Sequence, residues 1–142
     1  RGRMNRQLNG YDVGEPNAFA TIAATEAMNN GSLWLDELRD YIYGNKNLVA
    51  TFLQENLPNV GLTVSDATYL VWLDVSSYTN DSKALKDFLI EKASLVLNSG
   101  SSFRGNGNTF LRMNLATQRT NVEEGLRRLK KGLDLWKSLK TN

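Results

Sequence analysis

Cysteine and histidine are both absent from this chain of 142 residues. Their absence excludes thiol nucleophiles, imidazole general bases and the usual zinc and iron ligand sets. It also excludes disulfides, which accords with an expected cytoplasmic location. No apolar run approaches the roughly 20 residues needed to span a bilayer. The polar, basic start lacks the apolar core of a signal peptide. An excess of either charge is lacking too. Lys and Arg number 17 against 15 acidic residues, and no block of like charge stands out, so neither nucleic acid nor a membrane is expected as a partner. The two prolines, Pro16 and Pro58, both fall at expected helix boundaries. What is present is a 41% share of hydrophobic residues, enough for one ordinary domain to bury a core.

Residues 1–14 are polar and punctuated by Gly2, Gly10 and Gly14, and read as a lead-in or linker. A chain that begins at Arg1 also reads as a piece of something longer. A first helix is expected from Pro16 to about Asn29, with Ala18, Phe19, Ile22, Ala23 and Ala27 at helical spacing. Gly31 would end it in the left-handed conformation. Ser32 suits the cap of a long second helix that runs to Pro58. Its stripe of Trp34, Leu38, Tyr41, Ile42, Leu48, Val49, Phe52 and Leu53 reads as core.

A short strand is expected at 60–64, and an almost continuously apolar inner strand, covered on both faces, at 69–75. Asp74 at its end would cap the next turn or oppose a cation. Asn80, Asp81 and Ser82 offer caps for a third helix to about Ala93, buried through Leu85, Phe88 and Leu89. Leu95-Val96-Leu97 reads as a strand and 98–109 as a flexible loop. A capping box, Thr120 to Glu123, opens the last helix, with Glu123–Arg127 and Glu124–Arg128 as paired charges. The order ααββαββα makes an α/β (α+β) two-layer sandwich, a small mixed sheet with helices on one face.

The chemistry-bearing stretch is Phe110-Leu111-Arg112-Met113-Asn114-Leu115-Ala116. Leu111, Met113 and Leu115 alternate onto one face of a strand, and Phe110, Arg112 and Asn114 share the other. A mid-strand guanidinium is always charged, and its planar fork matches a carboxylate. The same pattern also fits an exposed face on which Arg112 is solvated or paired with a nearby Asp.

Several blocks in order resemble the carboxy-terminal portion of the MalY/PatB-type cystathionine β-lyases, pyridoxal-phosphate enzymes of the class I/II aminotransferase-like fold type I. These are Glu15-Pro16-Asn17-Ala18-Phe19-Ala20, Ala23-Ala24-Thr25-Glu26-Ala27, Thr68 to Asp74, Asn98-Ser99-Gly100 and Phe110 to Ala116. The resemblance runs from about Gly14 to Leu133. It implies a lead-in segment and helix, 1–31, from the side of a large domain, followed by the small domain, 32–142. The missing large domain would carry the cofactor lysine, so no catalytic residue is expected in this chain and the chain alone would be inactive. Arg112 would grip the α-carboxylate of an amino-acid substrate such as cystathionine or cysteine. Asn114 would orient Arg112. Asn17 would lie near the cofactor and the partner subunit of a homodimer. The bound cofactor would act as an electron sink for a carbanion at Cα. The sequence departs from the family pattern at Ser99-Gly100, Phe103-Arg104, Thr109 and Gln118. An aminotransferase fragment and a non-catalytic module that binds small carboxylates stay open beside the lyase.

Overall fold

The computed structural model describes residues 2–10, 17–63, 65–103 and 105–141. The chain divides into two compact units, residues 1–40 and 41–142.

The first unit is helical. Helix α1 spans Gly2–Gly10, where a linker was expected. Both glycines fall at its ends, where they cost little, and the interior holds good helix formers such as Arg3, Met4, Arg6 and Gln7. Helix α2 spans Ala20–Asn30 and buries none of its residues. Its expected start at Pro16 lies outside the described residues. The Asn17 side chain accepts from the Phe19 N–H at 3.0 Å, a local turn at the head of the helix. Gly31 keeps a right-handed conformation, φ −85°, instead of the expected left-handed one. The chain therefore runs almost directly into α3, Ser32–Asn56.

The second unit begins within α3 and holds the core. Four strands, β1 (Gly61–Leu62), β2 (Leu70–Asp74), β3 (Asn98–Ser99) and β4 (Phe110–Asn114), pair in the order β1-β2-β4-β3. Every pairing is antiparallel, so the sheet is not mixed in its hydrogen bonding. A mixed sheet was expected, and the β2–helix–β3 connection is a crossover. β2 and β3 do run the same way, but β4 inserts between them. Strand β3 also forms three residues later than expected, because Leu95 and Leu97 bury their side chains before the chain reaches the ladder.

One face of the sheet presents Val71, Leu73, Leu111 and Met113 to the core. Helices α4 (Ser82–Ala93) and α5 (Arg119–Thr141) supply Leu85, Leu89, Val122, Leu126, Leu129 and Leu133, and the second half of α3 adds Val49 and Leu53. The aromatic residues in the first part of the α3 stripe are not core: Trp34 and Tyr41 are exposed. Asp81 caps α4 by accepting from the N–H groups of Lys83 and Ala84. Helix α5 starts one residue before the expected capping box, with Gln118 accepting from the N–H groups of Asn121 and Val122. Glu124 takes both expected arginines, pairing with Arg127 and with Arg128 at 2.7 Å. The Arg128 hydrogen bond, aided by both positive charges, holds the Glu124 carboxyl below the usual range.

The described residues of the expected loop, 98–103 and 105–109, are built largely of short regular elements. Two short 3-10 turns, Gly100–Phe103 and Gly107–Thr109, flank the undescribed Arg104. Their backbones pack at Gly100 and Gly107, where a Cβ on Gly107 would stand 2.0 Å from the Gly100 carbonyl oxygen. A chain of hydroxyls fastens them: Ser82 to Ser99 at 2.8 Å, Ser99 to Ser101 at 2.7 Å, and Ser82 donating to the Gly107 carbonyl at 3.2 Å.

Candidate functional site

Strand periodicity sends Arg112 to the sheet face opposite the helices, together with Leu70, Trp72, Asp74, Phe110 and Asn114. That face is only half-covered, so β2 is central in the ladder without being buried on both sides. Register then sets the neighbours of Arg112. Trp72 of β2 lies directly across on one side and Asn98 of β3 on the other.

Asn98 Oδ1 accepts from Arg112 Nη2 at 3.2 Å. The guanidinium lies 4.3 Å from the centre of the Phe103 ring, within the range of a cation–π contact. Phe103 meets Trp72 edge-on at 5.3 Å, and Phe110 meets Trp72 edge-on at 6.5 Å. Thr63, Trp72, Phe103, Asn106 and Phe110 line a cleft of about 340 Å³ beside them.

Among the described residues no carboxylate pairs with Arg112. Its Nε is buried without a hydrogen-bond partner. Guanidinium carries five donors, and a buried, unpaired one is costly. The side chain is thus held in place and left short of an acceptor. An anion with two coplanar oxygens fits that deficit.

The other candidate positions are engaged elsewhere. Asp74 accepts from the Ser76 N–H at 2.9 Å and caps the turn; it makes no ion pair with Arg112. Asn114 is exposed and accepts from the Ala116 N–H at 2.8 Å, so the amide oxygen on the guanidinium is that of Asn98. Asn17 belongs to the first unit, where it serves the turn already described. Asn98, Phe103 and Trp72 were not given a site role from the sequence. The signal for Asn98 was the register of a strand that the local pattern ends one residue earlier.

Among the described residues no lysine lines the cleft. Lys46 donates to the carbonyls of Ser65 and Ala67, and Lys86, Lys92 and Lys130 pair with Asp87, Glu91 and Asp134. Among the described residues no group of acidic side chains could hold a metal ion, and no helix is long and apolar enough to cross a membrane.

No protein-family model matches the chain. It is 35% identical over 133 residues to cystathionine beta-lyase PatB of Bacillus subtilis (strain 168), a match covering 94% of this chain and 34% of that protein. It is 31% identical over 120 residues to protein MalY of Escherichia coli (strain K12), covering 84% and 31% respectively. The structure of cystalysin from Treponema denticola, which contains a pyridoxal 5'-phosphate cofactor, matches with a TM-score of 0.81 at 29% identity, over 90% of this chain and 33% of that one. The chain therefore spans about a third of the length of these relatives. Shared sequence over nearly the whole chain, on a shared fold, leads to one conclusion: this chain is homologous, over about a third of their length, to the MalY/PatB-type cystathionine β-lyases and to pyridoxal-phosphate enzymes of fold type I.

Proposed function

We infer that this chain is the carboxy-terminal domain of a cytoplasmic, homodimeric, pyridoxal-phosphate-dependent C–S lyase of the cystathionine β-lyase type, and that Arg112 grips the substrate α-carboxylate. On this reading residues 1–31 lead in from the large-domain side and residues 32–142 form the small domain. The observation that carries it is a half-buried guanidinium with an unpartnered Nε, on an open sheet face, with no acid pairing with it among the described residues.

The residues present do not fit attachment of the cofactor, since no described lysine lines the cleft. The cofactor is held elsewhere in the protein, and the chain alone is inactive. What this chain contributes is placement. A carboxylate fixed by two parallel N–H groups loses both translation and rotation, so the Cα substituents of the amino acid are oriented for reaction. Transamination needs the same grip, which makes an aminotransferase the second reading.

The test is Arg112→Lys and Arg112→Ala in the full-length protein, assayed with L-cystathionine. Lys keeps the charge but not the fork. Loss of charged hydrogen bonds at about 1.5–3 kcal/mol each sets the expected fall in kcat/KM at about 10- to 100-fold for Lys and more for Ala. Wild-type kinetics in Arg112→Ala would refute the assignment. The chain alone should show no saturable cofactor absorbance with added pyridoxal phosphate.

A further inference from the structure

We propose that Asn98 and Phe103 are positioning residues for Arg112, a two-sided clamp that fixes the plane of the guanidinium before substrate arrives. The inference rests on the reading of Arg112 as the carboxylate-binding group.

The geometry of the clamp follows from strand register, ring contacts and the packing of the turn. Register places Asn98 beside Arg112, and its Oδ1 takes one Nη2 proton at 3.2 Å. Phe103 supplies a flat surface 4.3 Å from the guanidinium carbon. Phe103 is itself held, because its ring meets Trp72 at a right angle, 89°. The turn that carries it is locked by the Gly100–Gly107 backbone contact and the Ser82–Ser99–Ser101 hydroxyl chain. Ser99 follows Asn98 directly, so one hydroxyl chain anchors both halves of the clamp.

An Arg side chain has several rotatable bonds, and ordering it on binding would weaken the grip. Asn98 and Phe103 remove that freedom in advance. The acceptor is also neutral. A carboxylate at position 98 would pair with Arg112 and compete with the substrate; an amide orients the guanidinium and leaves its charge uncancelled.

That distinction sets the experiment. Asn98→Asp keeps the shape and adds the competing charge; Asn98→Ala removes the acceptor; Phe103→Leu keeps an apolar wall without the ring. Each is made in the full-length enzyme, alone and with Arg112→Ala, and L-cystathionine kinetics are measured. Asn98→Asp should raise KM about tenfold or more, and Asn98→Ala and Phe103→Leu about threefold. All three effects should vanish in the Arg112→Ala background. In the 142-residue chain itself, the Arg112 Nε–H resonance should move and exchange faster with solvent in Asn98→Ala, at an unchanged melting temperature. If Arg112→Ala is damaging but the Asn98 and Phe103 variants leave KM within twofold, or act equally in both backgrounds, the clamp is overturned and the Arg112 reading stands. If Arg112→Ala is harmless, both fall.

Discussion

At the scale of single residues, Asn45 does for the fold what Asn98 does for the site. It is fully buried in the middle of α3. Its amide nitrogen donates to the carbonyls of Leu115 at 3.1 Å and Thr117 at 3.2 Å, and its Oδ1 accepts from Arg119 Nε at 3.3 Å. Tyr41, one turn earlier, accepts from the Arg119 N–H at 2.8 Å. Gly44 leaves room for the guanidinium, since a Cβ there would stand 2.6 Å from Arg119 Nη2. These contacts fasten α3 to the segment that follows β4, and so hold the end of the strand that carries Arg112. Removing one partner from a buried polar network costs about 1–3 kcal/mol per group left unpaired. Asn45→Ala is therefore expected to lose about 2–4 kcal/mol by urea denaturation, with an unchanged slope. Asn45→Asp keeps the acceptor for Arg119 but turns a carboxylate oxygen toward a carbonyl, and should fare no better. A midpoint unmoved in both variants would show that the network is not structural. Asn45 was detectable in the sequence: it is the polar residue set inside the stripe formed by Tyr41, Ile42, Leu48 and Val49.

At the scale of elements, the packing of α4 on α5 turns on Gly132. A Cβ there would stand 2.3 Å from Leu89 Cδ2 and 3.3 Å from the Ala93 Cβ. Leu89 is fully buried and has nowhere to swing. Replacing a mid-helix glycine by alanine normally gains about 1 kcal/mol, whereas overpacking a core costs about 1–3 kcal/mol. Gly132→Ala is thus expected to lower stability by about 1 kcal/mol. Pairing it with Leu89→Ala should cost less than the sum of the two, a coupling that a double-mutant cycle reads directly. Elements set by local pattern were legible in the sequence. The alternation of Leu111 and Met113 placed Arg112 on the outer face, and the Asn80–Ser82 caps placed the start of α4. Elements set by distant partners were not. The ladder between Asn98 and Arg112 depends on β4, which lies after the whole loop. The two 3-10 turns depend on two glycines seven residues apart meeting face to face. Helix α1 was missed because glycine was read as punctuation when it only marked the ends.

At the scale of the whole molecule, the first unit carries apolar side chains that a folded protein would normally cover. Phe19 is 78% exposed, Ile22 70%, Met28 88% and Trp34 66%. On the function proposed above, a large domain supplies the partners of Phe19 and Ile22. Burying apolar area is worth about 25 cal/mol per Å², and exposed apolar patches drive association when no partner is present. The chain alone is therefore expected to self-associate, with a sedimentation coefficient that rises with concentration over the micromolar range. Ile22→Lys with Trp34→Lys should return it to a monomer. Neither residue belongs to the 41–142 unit, so the cooperative melting of that unit should not change. Co-expression with the rest of the full-length protein should suppress association without any substitution, which separates a missing intramolecular partner from a surface built to join two copies. A chain that stays monomeric at every concentration tested would mean that these side chains need no partner, and would remove this support for a large domain docking on them.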